Sequence, residues 1–469
     1  MSASMKHELR QFPAARSGAQ TWYLLVICLV AATGGLLFGF DTAVISGTVG
    51  LFRAEFELSA ARAGWVASSA LVGCMAGALV AGTLSDRFGR KKALLLSAAC
   101  FTVSAIGCAL AHTADSLVVA RLLGGVGIGI ASILSPMYIA EVSPPAVRGR
   151  LVALQQLAIV LGILAAYFSN SLILGMQLSD GTKWRWMFGA EAVPALVFLG
   201  LLIPVPESPR WLIQKGALDA ARAVLAQIAG AAEADLETAR IAQAIAAESG
   251  SFSELLKPGL RRALWVGVAL AVLTQVTGIN AIMYYAPEIF KQAGSSVTRA
   301  FNDTVWIGLT NLVFTVVSMA LVDRCGRRLL LLWGASAMGI SLGLIGLAFH
   351  LHASGLGLLV LVMAYVGSFS VSMGVVGWVV ISEIYPTRTR GRAMAVAVVA
   401  LWGACYLVSQ TFLVLVDHLG SATTFWCYGV LCVVAVLFVC FAVPETRGRS
   451  LEEIERMWLD HEAANRKVP

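Results

Sequence analysis

Twelve separate stretches of this chain are too apolar to face water, and no other feature restricts its fold as tightly. They run over 22–47, 64–84, 92–111, 116–140, 151–174 and 186–204, then over 263–290, 304–322, 329–350, 356–382, 393–416 and 423–443. A hydrocarbon layer of ~30 Å is crossed by about 20 helical residues. Backbone polar groups in such a layer must be satisfied within the segment, so each stretch is expected to be an α-helix. Charge agrees: only 13% of the 469 residues are charged, against about 25% in an ordinary soluble domain. Mean hydropathy is +0.80. The expected fold is an all-α integral membrane protein of twelve transmembrane helices. Its 45 glycines suit close helix packing.

Eight of the nine cysteines, Cys28 and Cys74 among them, fall inside apolar stretches, and Cys325 sits in a short basic loop. Without paired CxxC spacing they read as small hydrophobes rather than disulfide or zinc ligands. The formal charge of +7 is no nucleic-acid footprint, because the basic residues collect in alternate loops: Arg87, Arg90, Lys91 and Lys92; Arg148 and Arg150; Arg324, Arg327 and Arg328; Arg388, Arg390 and Arg392. Such loops stay cytoplasmic, so both termini are expected there. The predicted layout is a tail at 1–21 (Lys6, His7, Glu8, Arg10 and Arg16), a six-helix bundle at 22–206, a polar helical loop at 207–262, a second bundle at 263–444 and a tail at 445–469. The first apolar stretch is too long for a signal-peptide core and is taken as an uncleaved helix.

The two halves repeat each other. Asp86-Arg87-Phe88-Gly89-Arg90 returns as Asp323-Arg324-Cys325-Gly326-Arg327, Glu141 with Arg148-Gly149-Arg150 as Glu383 with Arg390-Gly391-Arg392, and Pro206-Glu207-Ser208 as Pro444-Glu445-Thr446. The offsets are 237 residues (86 to 323), 242 (141 to 383) and 238 (207 to 445). Parallel repeats of membrane helices are a transporter design with substrate held between the repeats.

Ionisable residues inside a membrane span are costly and mark function. Asp41, Arg121 and Glu191 are three. Counted at ~1.5 Å per residue, all fall in the outer half of their spans at similar height. An Asp–Arg pair with a second carboxylate beside it could respond to protons: neutralising Asp41 releases Arg121. A static pair that fixes packing is the bland alternative. Asp86, Arg87, Glu141 and Arg148, with Asp323, Arg324, Glu383 and Arg390, are expected to form a gate of ion pairs at the cytoplasmic surface. Single exposed pairs give only ~0–1 kcal/mol, so a network is needed. No catalytic nucleophile, metal cluster or phosphate loop is visible, which argues against an enzyme. Gly124-Gly125-Val126-Gly127-Ile128-Gly129 lies in an apolar span and reads as helix packing.

Gly39-Phe40-Asp41-Thr42-Ala43-Val44-Ile45-Ser46-Gly47, Gly82 with Asp86-Arg87-Phe88-Gly89-Arg90-Lys91-Lys92, Pro136-Met137-Tyr138-Ile139-Ala140-Glu141, Pro206-Glu207-Ser208-Pro209-Arg210-Trp211-Leu212 and Pro444-Glu445-Thr446-Arg447-Gly448 together resemble the sugar porter family of the major facilitator superfamily, from about Trp22 to Trp458. The pattern is most similar to bacterial xylose– and glucose–proton symporters, and the acid at Asp41 favours proton coupling. The resemblance implies a sugar site of Gln156, Gln275, Asn280, Asn311 and Trp378, with Tyr285 and Trp402 lining it. Amides offer a donor and an acceptor together, as a neutral polyhydroxylated ligand requires. Three departures make the site less polar: Thr274 stands where the family has a second glutamine, Val375 replaces a proline, and Leu401 replaces an amide.

The implied activity is proton-coupled symport of a pentose or hexose by alternating access in a bacterial inner membrane. The partners would be sugar, protons and lipid; the unit is a monomer, with no cofactor beyond the coupling proton. A polyol or inositol symporter is the close alternative, since Leu401-Trp402 also suits that branch. A non-transporting sugar sensor is disfavoured by the short tails.

Overall fold

A computed structural model describes residues 18–247, 260–353, 355–385, 389–448, 453–454 and 457–458. Most of both predicted tails, the last part of the polar loop and Arg388 lie outside the described residues.

The first half comprises α1 (Gly18–Glu55), α2 (Ala60–Phe88), α3 (Arg90–Ala109), α4 (Ala114–Val142), α5 (Pro145–Leu174) and a sixth span made of α6 (Asp180–Ala190) and α7 (Ala192–Leu202). Three short helices follow, α8 (Pro209–Gln214), α9 (Leu218–Ala229) and α10 (Ala231–Ala247). The second half starts with a span divided into α11 (Leu260–Val276) and α12 (Ile279–Gln292). It continues through α13 (Val297–Cys325), α14 (Arg327–His350), α15 (Leu356–Phe369), a π-helical turn (Ser370–Gly374), α16 (Val376–Glu383) and α17 (Arg390–Ala442). At 1.5 Å per residue α17 would measure about 80 Å, far more than one span needs. It is two spans, divided where Gly420 leaves helical geometry at φ 77°. The expected twelve spans are therefore present, with longer helices than hydropathy marks. The first was expected at 22–47 but α1 continues to Glu55, so Asp41 lies deeper in its helix than counted.

The side chains on the outside identify the solvent: Phe441 is 84% exposed and Trp333 71%. Only lipid accommodates so broad an apolar surface. Inside, helices meet through glycines. A Cβ on Gly125 of α4 would lie 1.9 Å from the Ala70 carbonyl oxygen of α2, and one on Gly73 would lie 2.1 Å from that of Leu122. The glycine run in α4 is thus a packing surface. Forcing a methyl into so tight a contact costs ~1–3 kcal/mol. Gly125→Ala should lower the melting temperature of the purified protein, whereas Gly200→Ala, with open space at its Cβ, should not.

Three spans are broken, each for a local reason. Pro194 has no N–H to bond the Ala190 carbonyl, so the sixth span divides at Glu191. Gly278, at φ 98°, separates α11 from α12, and the Tyr365 hydroxyl donates to the freed Thr277 carbonyl at 3.0 Å. The tenth span keeps its irregularity as a π turn although Val375 replaces the expected proline. The Ala-rich run at 218–247 is helical as expected, with Gly230 (φ 95°) dividing it.

The connections at 88–90, 143–144, 203–208 and 325–327, and the described residues 384–385 and 389, share one end of the bundle with the repeated motifs, here the motif face. Those at 56–59, 110–113, 175–179 and 293–296, with residues 351–353 and 355, define the far face. The halves meet along α1 with α12, α2 with α17, and α5 with α13.

Candidate functional site

Asp41 and Arg121 are brought together. The Arg121 Nη1 donates to Asp41 Oδ1 at 2.6 Å, and the two side chains are 1% and 4% exposed. The second Arg121 nitrogen reaches the Ala67 carbonyl at 3.4 Å, and the guanidinium lies 5.4 Å from the Phe188 ring centre. Gly124 leaves room for this pair, since a Cβ there would lie 3.3 Å from the second Asp41 oxygen. Glu191, at the break of the sixth span, is buried, and its Oε1 has no hydrogen-bond partner. It is close enough to feel both charges. Three ionisable groups thus share one buried site in which, among the described residues, one pair is bonded.

The amides of the second half form a chain. Asn280 Nδ2 donates to Gln275 Oε1, and Gln275 Nε2 donates to the Thr274 hydroxyl at 3.1 Å. Thr274 therefore stays in the polar network but spends its own proton on the Ala271 carbonyl at 2.7 Å. Its methyl points at Gly377, beside half-buried Trp378. Asn311 accepts from Ser370 of the π turn at 2.8 Å, so its carbonyl is held by a neighbouring helix. Tyr285 is fully buried, its hydroxyl on the Ser409 carbonyl at 2.8 Å and its ring stacked on Phe412; in this conformation it belongs to the wall. Gln156 is half-buried on α5. Its helical face continues through Val160 and Ile163 to Tyr167, whose hydroxyl crosses to the Met283 carbonyl at 2.8 Å. Trp402 is buried with an unpartnered indole N–H. Its ring meets Phe38 edge-on at 5.4 Å, one turn before Asp41 on α1.

Among the described residues, the polar contacts between the halves gather toward the far face: Arg53 with Asp417 at 3.4 Å, Ser171 with Asn302 at 2.7 Å, Tyr167 with Met283, and Gln410 with Ser68 at 2.9 Å.

At the motif face the ion pairs differ from expectation. The pairing arginines are Arg90 and Arg327, not Arg87 and Arg324. Arg90 contacts Glu141 at 3.0 Å and Asp86 at 3.4 Å, and Arg327 contacts Glu383 at 3.1 Å and Asp323 at 3.0 Å. Arg87 lies over its neighbour Phe88, and Arg148 donates to the Ser143 carbonyl at 3.2 Å. Arg390 begins α17 on the same face. The carboxylate clusters are internal to each half. Each gains a member that the sequence reading named only as a repeat. Glu207 accepts from the Arg90 and Lys91 backbone N–H at 2.8 and 3.1 Å, capping α3. Glu445 accepts from those of Arg327 and Arg328, both at 3.0 Å, capping α14.

Residues 27–458 match the model of the sugar (and other) transporter family. The chain belongs to that family. It is 42% identical over 455 residues to an arabinose-proton symporter of Bacillus subtilis, covering 95% of this chain and 97% of the relative. To a D-xylose-proton symporter of Escherichia coli it is 41% identical, covering 93% and 96%. Among solved structures, the inward open conformation of the xylose transporter XylE from E. coli aligns with a TM-score of 0.82 at 38% identity, covering 93% of this chain and 100% of that one. The proton:xylose symporter XylE bound to 6-bromo-6-deoxy-D-glucose gives 0.78 at 39%, covering 94% and 100%. The major facilitator fold of this family member is thereby shown.

For this transporter the Glu445 cap has a measurable consequence. Burial opposes its charge, but the backbone N–H groups of Arg447, Arg327 and Arg328 outweigh that and hold its carboxyl below the usual range. A carboxylate depressed on folding stabilises fully above the ordinary range and loses this as pH falls through the folded value. Glu445→Gln should therefore melt earlier than wild type at pH 7, and the difference should shrink below about pH 4.

Proposed function

We propose that this chain is a proton-coupled symporter of a monosaccharide, working by alternating access as a monomer in a bacterial cytoplasmic membrane. One arrangement carries the reading. Asp41 of the buried Asp41–Arg121 pair lies on α1 one turn from Phe38, and Phe38 touches Trp402 of the other half. A change of charge at Asp41 can therefore move a helix packed on α12, whose Asn280 is bonded to Gln275. The arabinose- and xylose-proton symporters among its relatives support the same reading. The basic motif loops favour a cytoplasmic motif face and cytoplasmic termini. With the halves tied at the far face, the described conformation then opens inward, which agrees with the better match to the inward open relative.

The test is uptake of labelled xylose, arabinose and glucose into proteoliposomes with and without an imposed pH gradient, with inositol as competitor. Accumulation of one monosaccharide only under the gradient is expected. Flux that ignores the gradient, or movement of inositol alone, would refute the reading.

A further inference from the structure

We infer that Gln410 is a latch that holds the far face shut along the α2–α17 seam, and so a positioning residue for the transport cycle; this rests on the alternating-access reading above. Its amide is used at both ends, and both partners belong to the opposite half. Ser68 Oγ donates to Gln410 Oε1 at 2.9 Å, and Gln410 Nε2 donates to the Ala61 carbonyl at 2.9 Å. Ala61 and Ser68 are seven residues apart, two turns of α2, so one side chain bridges a whole face of that helix. The approach is close because Gly64 lies between those turns: a Cβ there would be 2.6 Å from the Gln410 carbonyl oxygen. One turn earlier on α17, Tyr406 meets Trp65 edge-on at 6.3 Å.

The ion pair at this face is weaker. Arg53 and Asp417 face each other at 3.4 Å, but their side chains are 37% and 45% exposed, and water and salt screen such pairs. Ser68, in contrast, is fully buried, which shields its end of the bond to Gln410, while the bond from Gln410 to the Ala61 carbonyl lies exposed at the rim. The latch is also joined to the substrate side of its own half. The carbonyl of Ser409, the residue before Gln410, holds the Tyr285 hydroxyl of α12, the helix whose second residue is Asn280. For substrate to enter from the far face, α2 and α17 must separate, and every bond to Gln410 must break.

Hydrogen–deuterium exchange of the purified full-length protein, read by mass spectrometry, tests this. Gln410→Leu keeps the volume and removes both bonds. Two lost bonds of ordinary strength shift the ratio of the two conformations about tenfold. Exchange should rise in peptides covering 60–70 and 405–415 and fall at the motif face around 84–92 and 322–330. Gly64→Ala should push the same way by crowding the seam, and Arg53→Ala should have the smaller effect. Exchange that rises at both faces would show mere loosening and overturn the latch. So would unchanged exchange in both Gln410→Leu and Gly64→Ala, or a larger shift from Arg53→Ala. The measurement involves neither sugar nor pH gradient, so its failure is separate from failure of the symport reading.

Discussion

Asp41→Asn should abolish accumulation of sugar against a gradient while leaving exchange of sugar across the membrane. A pH step of one unit corresponds to about 1.4 kcal/mol, so one-for-one coupling supports about tenfold accumulation in the wild type. Asparagine cannot take up or release a proton, and the variant should level off at an internal concentration equal to the external one. The amide retains the shape of the side chain, yet the Arg121 guanidinium beside it loses its bonded counter-charge. Breaking a buried ion pair typically costs ~3–5 kcal/mol. Here Glu191, buried close by with an unpartnered oxygen, can supply the missing charge and keep the protein folded. The double variant Asp41→Asn with Glu191→Gln removes that substitute and should be recovered in much lower yield. Proteoliposome uptake, with counterflow as control, provides the measurement. Accumulation by Asp41→Asn equal to that of wild type would rule out Asp41 as the coupling site.

Gln275→Ala should weaken sugar binding by roughly 5- to 100-fold, the range for losing one or two buried hydrogen bonds of ~1–3 kcal/mol. Gln275 is the centre of the amide chain: its oxygen takes the Asn280 N–H, and its nitrogen is aligned by Thr274. Truncation therefore removes one ligand and releases a second. Thr274→Val keeps the methyl at Gly377 but removes the acceptor that orients Gln275, so it should produce a smaller loss. Trp378→Ala should also reduce affinity, by removing an apolar face for the sugar C–H surface. Binding measured by calorimetry on the purified protein checks all three. Unchanged affinity in both Gln275→Ala and Trp378→Ala would move the sugar site elsewhere.

Much of the architecture was legible because lipid imposes a simple rule on sequence. Twelve apolar stretches, the two-half repeat and the short helices of the insert follow from hydropathy and spacing. The limits of those helices did not, since α1 and α17 run on through residues that hydropathy does not mark. The buried charges were legible as a set because ionisable residues stand out in apolar spans. That Asp41 and Arg121 bond directly, while Glu191 has an oxygen without a partner, required three helices in register.

The motif face shows the opposite case. The repeated motifs identified the region, but not which arginine points inward. Arg87 and Arg90 are three apart, and only the glycine break between α2 and α3 turns Arg90 toward Glu141. Glu207 and Glu445 were visible at a repeat offset of 238 residues. Their function as helix caps appears only when the loops after the sixth and twelfth spans fold back. Phe188, Phe38 and Gln410 gave no signal at all, being ordinary residues in ordinary spans. Sequence alone determined the solvent, the number of crossings and the duplication, because these depend on composition and order along the chain. The tertiary structure decided which charges bond, which amides pair and at which face the halves touch through polar side chains, because these depend on contacts of a few ångströms between helices far apart in the chain.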